Sequence, residues 1–74
     1  MAEITANIKG YRQLTEEEQH FINTVKTKAE EVGQLVDDIS KIPDVDTRWL
    51  EKARTDLQVG FMELVRSIAK PTTF

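Results

Sequence analysis

The chain has 74 residues, 39% of them hydrophobic and 31% charged, with a formal net charge of −3, no cysteine and one histidine. A chain this short buries only about 60% of the surface it exposes when unfolded. With neither a disulfide nor a Cys/His zinc site to brace it, it must rely on association or on very regular helix packing. The acidic balance argues against long nucleic acid, which needs a broad basic face. No apolar run reaches the roughly 18 residues of a membrane span, and the opening MAEITANIKG lacks a signal peptide's basic start and apolar core, so a cytoplasmic protein is expected.

From the N-terminus, Ile4, Ile8, Tyr11 and Leu14 recur at helical spacing, which reads as a short helix over about residues 2–9, ended by Gly10, or equally as a frayed tail. A helix of that length is unstable alone in water and needs a surface to dock on. The first long helix is expected over residues 15–41. The Thr15 hydroxyl can accept from the Glu18 amide while the Glu18 carboxylate reaches back to Thr15, a capping box. Glu16, Glu17 and Glu18 also complement the positive end of the helix dipole. Ile22, Val25, Ala29, Val32, Val36 and Ile39 then form an unbroken heptad seam flanked by Phe21 and Leu35. Pro43 disfavours helical geometry at Ile42, so this helix should end near Ser40 or Lys41.

The connection that follows is short, which makes the two helices antiparallel neighbours. Asp44 or Asp46 can cap the second helix, expected over residues 46–70. Its stripe of Leu50, Ala53, Leu57, Phe61, Leu64 and Ile68 reads as a buried seam, with Trp49, Val59, Met62 and Val65 off it. Pro71 stops the helix, and Arg66 and Lys70 complement its carbonyl end.

The fold class is therefore all-α: a short N-terminal helix and an antiparallel two-helix hairpin forming one domain over residues 1–74. A lone hairpin leaves half of each helix's apolar surface wet. Self-association into a homo-oligomer is expected, with Trp49, Val59, Met62, Phe21 and Leu35 between copies and Phe74 and the tail as additions. Gly33 and Gly60 interrupt helices at about 1 kcal/mol each relative to Ala. Close packing is expected at Gly60, beside Phe61.

No catalytic constellation is legible. His20 has no nucleophile beside it in sequence, and Gly-rich phosphate loops, zinc signatures and calcium loops are absent. The clusters Glu16 to Glu18, Glu30 with Glu31, and Asp37 with Asp38 read as solvated faces. A non-enzymatic chain with no metal and no cofactor is expected. The cations are more informative: Lys9, Arg12, Lys26, Lys28, Arg54, Arg66 and Lys70 carry most of the positive charge, and Tyr11 stands between Gly10 and Arg12. A phenol beside a guanidinium can stack on a nucleobase while a nearby cation meets phosphate. The same three residues also read as a turn whose ring packs on the hairpin.

The segments GYRQLTEEE, INTVKTKAEEVGQLVD and RWLEKARTDLQVGFMELVRSIAKP together resemble a family of small phage proteins, the anti-CBASS and anti-Thoeris signal sponges that share a helical-hairpin domain. The likeness runs from about Gly10 to Pro71, and its most specific motif is the second helix. The resemblance implies a homohexamer of hairpins in the cytoplasm of the infected bacterial host. It would bind cyclic di- or trinucleotides, or a glycocyclic ADP-ribose, and withhold them from the defence effector. It further implies a cyclic-dinucleotide pocket between subunits, held by Tyr11 after Gly10, with Arg12 adjacent, and by a basic residue of the first long helix. That residue is Lys26 or Lys28; they differ by about 200° around the helix and cannot face one pocket, and Lys26 is favoured. A second pocket, for cyclic trinucleotides on a threefold axis, falls to Arg66 or Lys70. The segment RTDLQVGFMELVR departs from the characterised sponges, so the choice of messenger does not carry over.

Overall fold

The computed structural model describes residues 13–71, which form two α-helices joined by a tight turn, with no strand among the described residues. Helix α1 is Glu16–Ile39 and helix α2 is Thr47–Ala69. The short helix expected over residues 2–9 lies outside the described residues, as does Phe74.

The ends of α1 follow from local chemistry. The Thr15 amide donates to Glu18 Oε1 at 2.9 Å and the Glu18 amide to Thr15 Oγ1 at 3.1 Å. Two donors that a helix start leaves unpaired are thus satisfied by one reciprocal pair of side chains. At the far end Ser40 is the C-cap, its amide donating to the Val36 carbonyl at 3.0 Å. Lys41 and Ile42 then donate three residues back, to Asp38 and Ile39, tightening the chain as it leaves the helix.

Pro43 and Asp44 form the centre of the turn. The Val45 amide reaches the Ile42 carbonyl at 3.3 Å, and Asp44 has a φ of 65°. Proline followed by a left-handed residue is the pattern of a type II turn, and aspartate tolerates that conformation better than bulky residues do. Of the two candidate caps it is Asp46 that acts, its Oδ1 accepting from the Trp49 amide at 3.1 Å. At the end of α2, Pro71 disfavours helical backbone at Lys70. Lys70 turns left-handed instead, with φ 45°, and its amide closes the last turn on the Arg66 carbonyl at 2.8 Å.

The heptad seam of α1 faces α2. Ile22 and Val36 are the buried hydrophobics, at 8% and 5% exposure, and Val25, Ala29, Val32 and Ile39 are half-buried beside them. Helix α2 has no buried residue, and its inner face differs from the expected stripe. Leu50, Phe61 and Ile68 are half-buried as expected. Arg54 and Val65, however, are half-buried where Ala53 and Leu64 were expected, and Ala53, Leu57 and Leu64 are exposed.

The cause is the width of the apolar arc. At about 100° per residue, the apolar side chains of α2 extend on both sides of Phe61, further than one partner helix covers. Periodicity then leaves the rotation of α2 open. The cross-helix tie that accompanies the observed rotation is Arg54 Nη1 to Asp37 Oδ1 at 3.1 Å, with Arg54 Nε also 3.4 Å from Glu51 Oε1. The close packing expected at Gly60 is not supplied among the described residues, because a Cβ built there meets nothing within 4 Å. No helix among the described residues is long and apolar enough to cross a membrane.

Candidate functional site

The hollows of this chain run along the hairpin rather than into it. One of about 400 Å³ lies between the helices, over Ala29, Gly33 and Val36 of α1, with Arg54, Gln58 and Met62 among its α2 residues. A second, about 580 Å³, follows the exposed flank of α2 along Ala53, Leu57, Gly60 and Leu64. A third, about 530 Å³, lies where Phe21 and Val25 meet Leu64 and Ile68, and includes Glu17 and Glu18. A fourth, about 310 Å³, is formed by Met62, Glu63, Val65, Arg66, Ala69 and Pro71 near the end of α2. Among the exposed large hydrophobic residues, Trp49 at 65% and Met62 at 67% are the most open.

Gly10, Tyr11 and Arg12 lie outside the described residues. Lys26 and Lys28 are both exposed on α1, and their spacing points them to different sides of it. Lys28 is 3.6 Å from Glu31, one turn on. Neither lysine lines the hollows above. Arg66 does line one of them, and Lys70 is joined to Arg66 through its backbone amide. The two residues expected at the second pocket therefore sit together at one end of α2, beside an apolar hollow that does not include Lys26.

Arg54 is the cation whose place sequence reasoning missed. It is half-buried against two carboxylates, and the pair with Asp37 ties the helices together, so its charge serves the hairpin. The signal was present in its spacing: Arg54 lies four residues after Leu50 and seven before Phe61, both inner residues. Counting Ala53 as the seam residue concealed it.

Among the described residues, no group of three or more His, Cys, Asp or Glu side chains could hold a metal ion. His20 is exposed, its ring set edge-on to Phe21 at 5.1 Å between centroids, while its carbonyl accepts from Thr24 Oγ1 at 2.9 Å. Shallow apolar hollows suit a flat ring or another helix; Arg54 and Arg66 each stand at one of them, whereas the hollow on the flank of α2 has Asp56 and the one beside Phe21 has Glu17 and Glu18. Excluding water from a bound anion takes walls on more sides than these open grooves have.

The comparisons with known proteins bear on this surface. A family model described as "Acb2/Tad1, hairpin domain" matches residues 4–69. No curated protein matches the chain at a significant level.

Proposed function

Because the chain belongs to the Acb2/Tad1 hairpin-domain family, the phage anti-CBASS and anti-Thoeris cyclic-nucleotide sponges, we propose that it is a phage-encoded sponge. It binds cyclic oligonucleotide or cyclic ADP-ribose-type immune signals without altering them, in the cytoplasm of the infected bacterium, and so keeps the defence effector switched off. The observation that carries this reading is the family match over residues 4–69. The open hollows support it, because they leave the missing walls of a pocket to be supplied by further copies of the chain.

In this reading the working form is a homohexamer, with cyclic dinucleotides held at joints between copies. The Tyr11 ring stacks on a base, Gly10 lets the backbone approach and Arg12 stands beside it. Lys26 meets phosphate. It suits that role better than Lys28, which already has Glu31 as a partner. Symmetry repeats each contact, so one Tyr and one Lys per chain can hold both halves of a twofold-symmetric dinucleotide. Arg66 and Lys70, together at the end of α2, form the second pocket, for cyclic trinucleotides.

The test is calorimetric titration with a panel of cyclic dinucleotides, cyclic trinucleotides and cyclic ADP-ribose isomers. At least one should bind and be recovered intact after heat denaturation. Tyr11→Ala should weaken binding about 10- to 100-fold, in line with about 1–3 kcal/mol per stacked base, while the assembly keeps its mass. No binding across the panel, or recovery of cleaved nucleotide, overturns the proposal. The exposure of Trp49 and Met62 favours a second reading, a helical protein–protein interaction or regulatory module. It predicts a dimer without nucleotide affinity.

A further inference from the structure

The hollow of about 310 Å³ at the end of α2 has two charged heads that the hairpin does not use. Met62, Val65, Ala69 and Pro71 line it with apolar surface, and Glu63 and Arg66 are the charged residues among its lining. These two lie three residues apart, a spacing at which opposite charges on a helix commonly pair. They do not pair here. Among the described residues, neither side chain makes an ion pair or a hydrogen bond, whereas Lys28, Lys52 and Arg54 each hold a carboxylate. Both heads are exposed, so each can meet a ligand.

The two heads ask for different things. A guanidinium suits a phosphate, but the carboxylate beside it repels one, so Arg66 alone does not describe what this hollow accepts. A carboxylate presents acceptors only. The ligand must therefore bring hydrogen-bond donors to Glu63 as well as an anion to Arg66, with a flat apolar body for the floor between them. Guanine has two adjacent donors, N1–H and N2–H, on its Watson–Crick edge, and they match the two carboxylate oxygens. Adenine offers N6–H beside the lone pair of N1, which sets one carboxylate oxygen against another acceptor. A site whose polar group is left without its partner rejects the wrong ligand more strongly than a misfit in an apolar pocket does.

We propose that Glu63 reads the base in this hollow and selects guanine over adenine, while Arg66 takes the phosphate. The inference rests on the sponge reading, which assigns a cyclic trinucleotide to the end of α2, and it adds the base that ligand carries. With three copies about one axis, each brings one Glu63 to one base.

Calorimetric titration of the full chain with all-guanine and all-adenine cyclic trinucleotides tests it. The guanine ligand should bind at least about 10-fold more tightly, within the range that one bidentate base contact supplies. Glu63→Gln changes an exposed side chain to one of the same shape, so circular dichroism should show the parent's helix content. Glutamine presents one acceptor and one donor group, the pattern that pairs with adenine, and the preference should shrink to about threefold or reverse. Equal affinities or an adenine preference in the parent overturn the proposal. So does a guanine preference unchanged in Glu63→Gln, or the absence of binding by either trinucleotide. In each of these cases the sponge reading stands if any cyclic nucleotide of the wider panel binds, and it falls only when none does.

Discussion

The two helices are nearly equal in length, 24 and 23 residues, yet they use their apolar residues differently. Helix α1 concentrates its apolar residues in a narrow seam that α2 covers, and it contains both side chains that are buried among the described residues, Ile22 and Val36. Helix α2 has none buried and leaves Trp49, Leu57, Val59, Met62 and Leu64 exposed. Their starts differ as well. The N-terminus of α1 has a reciprocal capping box and three glutamates in its first turn, whereas α2 has one aspartate cap and no acidic residue there. The contrast separates the two helices: α1 holds the hairpin together, whereas α2 closes the hairpin and leaves much of its apolar surface exposed.

The sharpest way to break this comparison is to truncate one residue of each kind and measure urea unfolding of dilute protein. Ile22→Ala should cost about 2–4 kcal/mol, because it opens a cavity in the only buried layer among the described residues. Leu64→Ala should cost about 1 kcal/mol or less in the same measurement, since that side chain is already half in water. Equal losses would mean that α2 is as deeply committed to the hairpin as α1 is.

Capping gives the next largest effect. Thr15→Ala and Asp46→Ala should each cost about 1 kcal/mol. The Thr15 loss should be the larger, because it also frees Glu18 from its reciprocal bond, and thermal melts of the two variants would read the difference. A smaller change is expected at the cross-helix tie. Arg54→Ala should lower stability by about 0.5–1 kcal/mol, as the arginine is about one-third exposed and Asp37 more than half. Rising salt should shrink the gap from the parent. An effect indifferent to salt would assign the residue's role to its alkyl stem. Smallest of all, Asp44→Asn should leave stability within about 0.5 kcal/mol of the parent or slightly above it, because asparagine adopts the left-handed turn conformation readily. A large loss would reveal a contact that Asp44 alone provides.

The candidate site was legible in part. The exposure of Trp49, Val59, Met62, Phe21 and Leu35 follows from their places off the seams, and the structure has them exposed. Arg66 and Lys70 sit together because one helical turn separates them. Lys26 and Lys28 diverge by the same geometry, and the pairing of Lys28 with Glu31 three residues on is equally local. At Gly60 the expected close packing is not met among the described residues, because a Cβ there has nothing within 4 Å, and periodicity carries no information on how near a neighbouring helix comes.

What this sequence determined by itself is what adjacent residues settle among themselves. The capping box at Thr15, the stop before Pro43 and the left-handed exit at Lys70 before Pro71 are all of that kind, and so is the seam of α1, whose apolar stripe is narrow enough to permit one orientation. The tertiary structure alone decided which part of α2 faces inward, because its apolar arc is broader than one helix can cover and several rotations bury similar area. Arg54 against Asp37, Val65 turned in and Leu64 turned out are consequences of that choice, which depends on residues distant along the chain meeting across the hairpin.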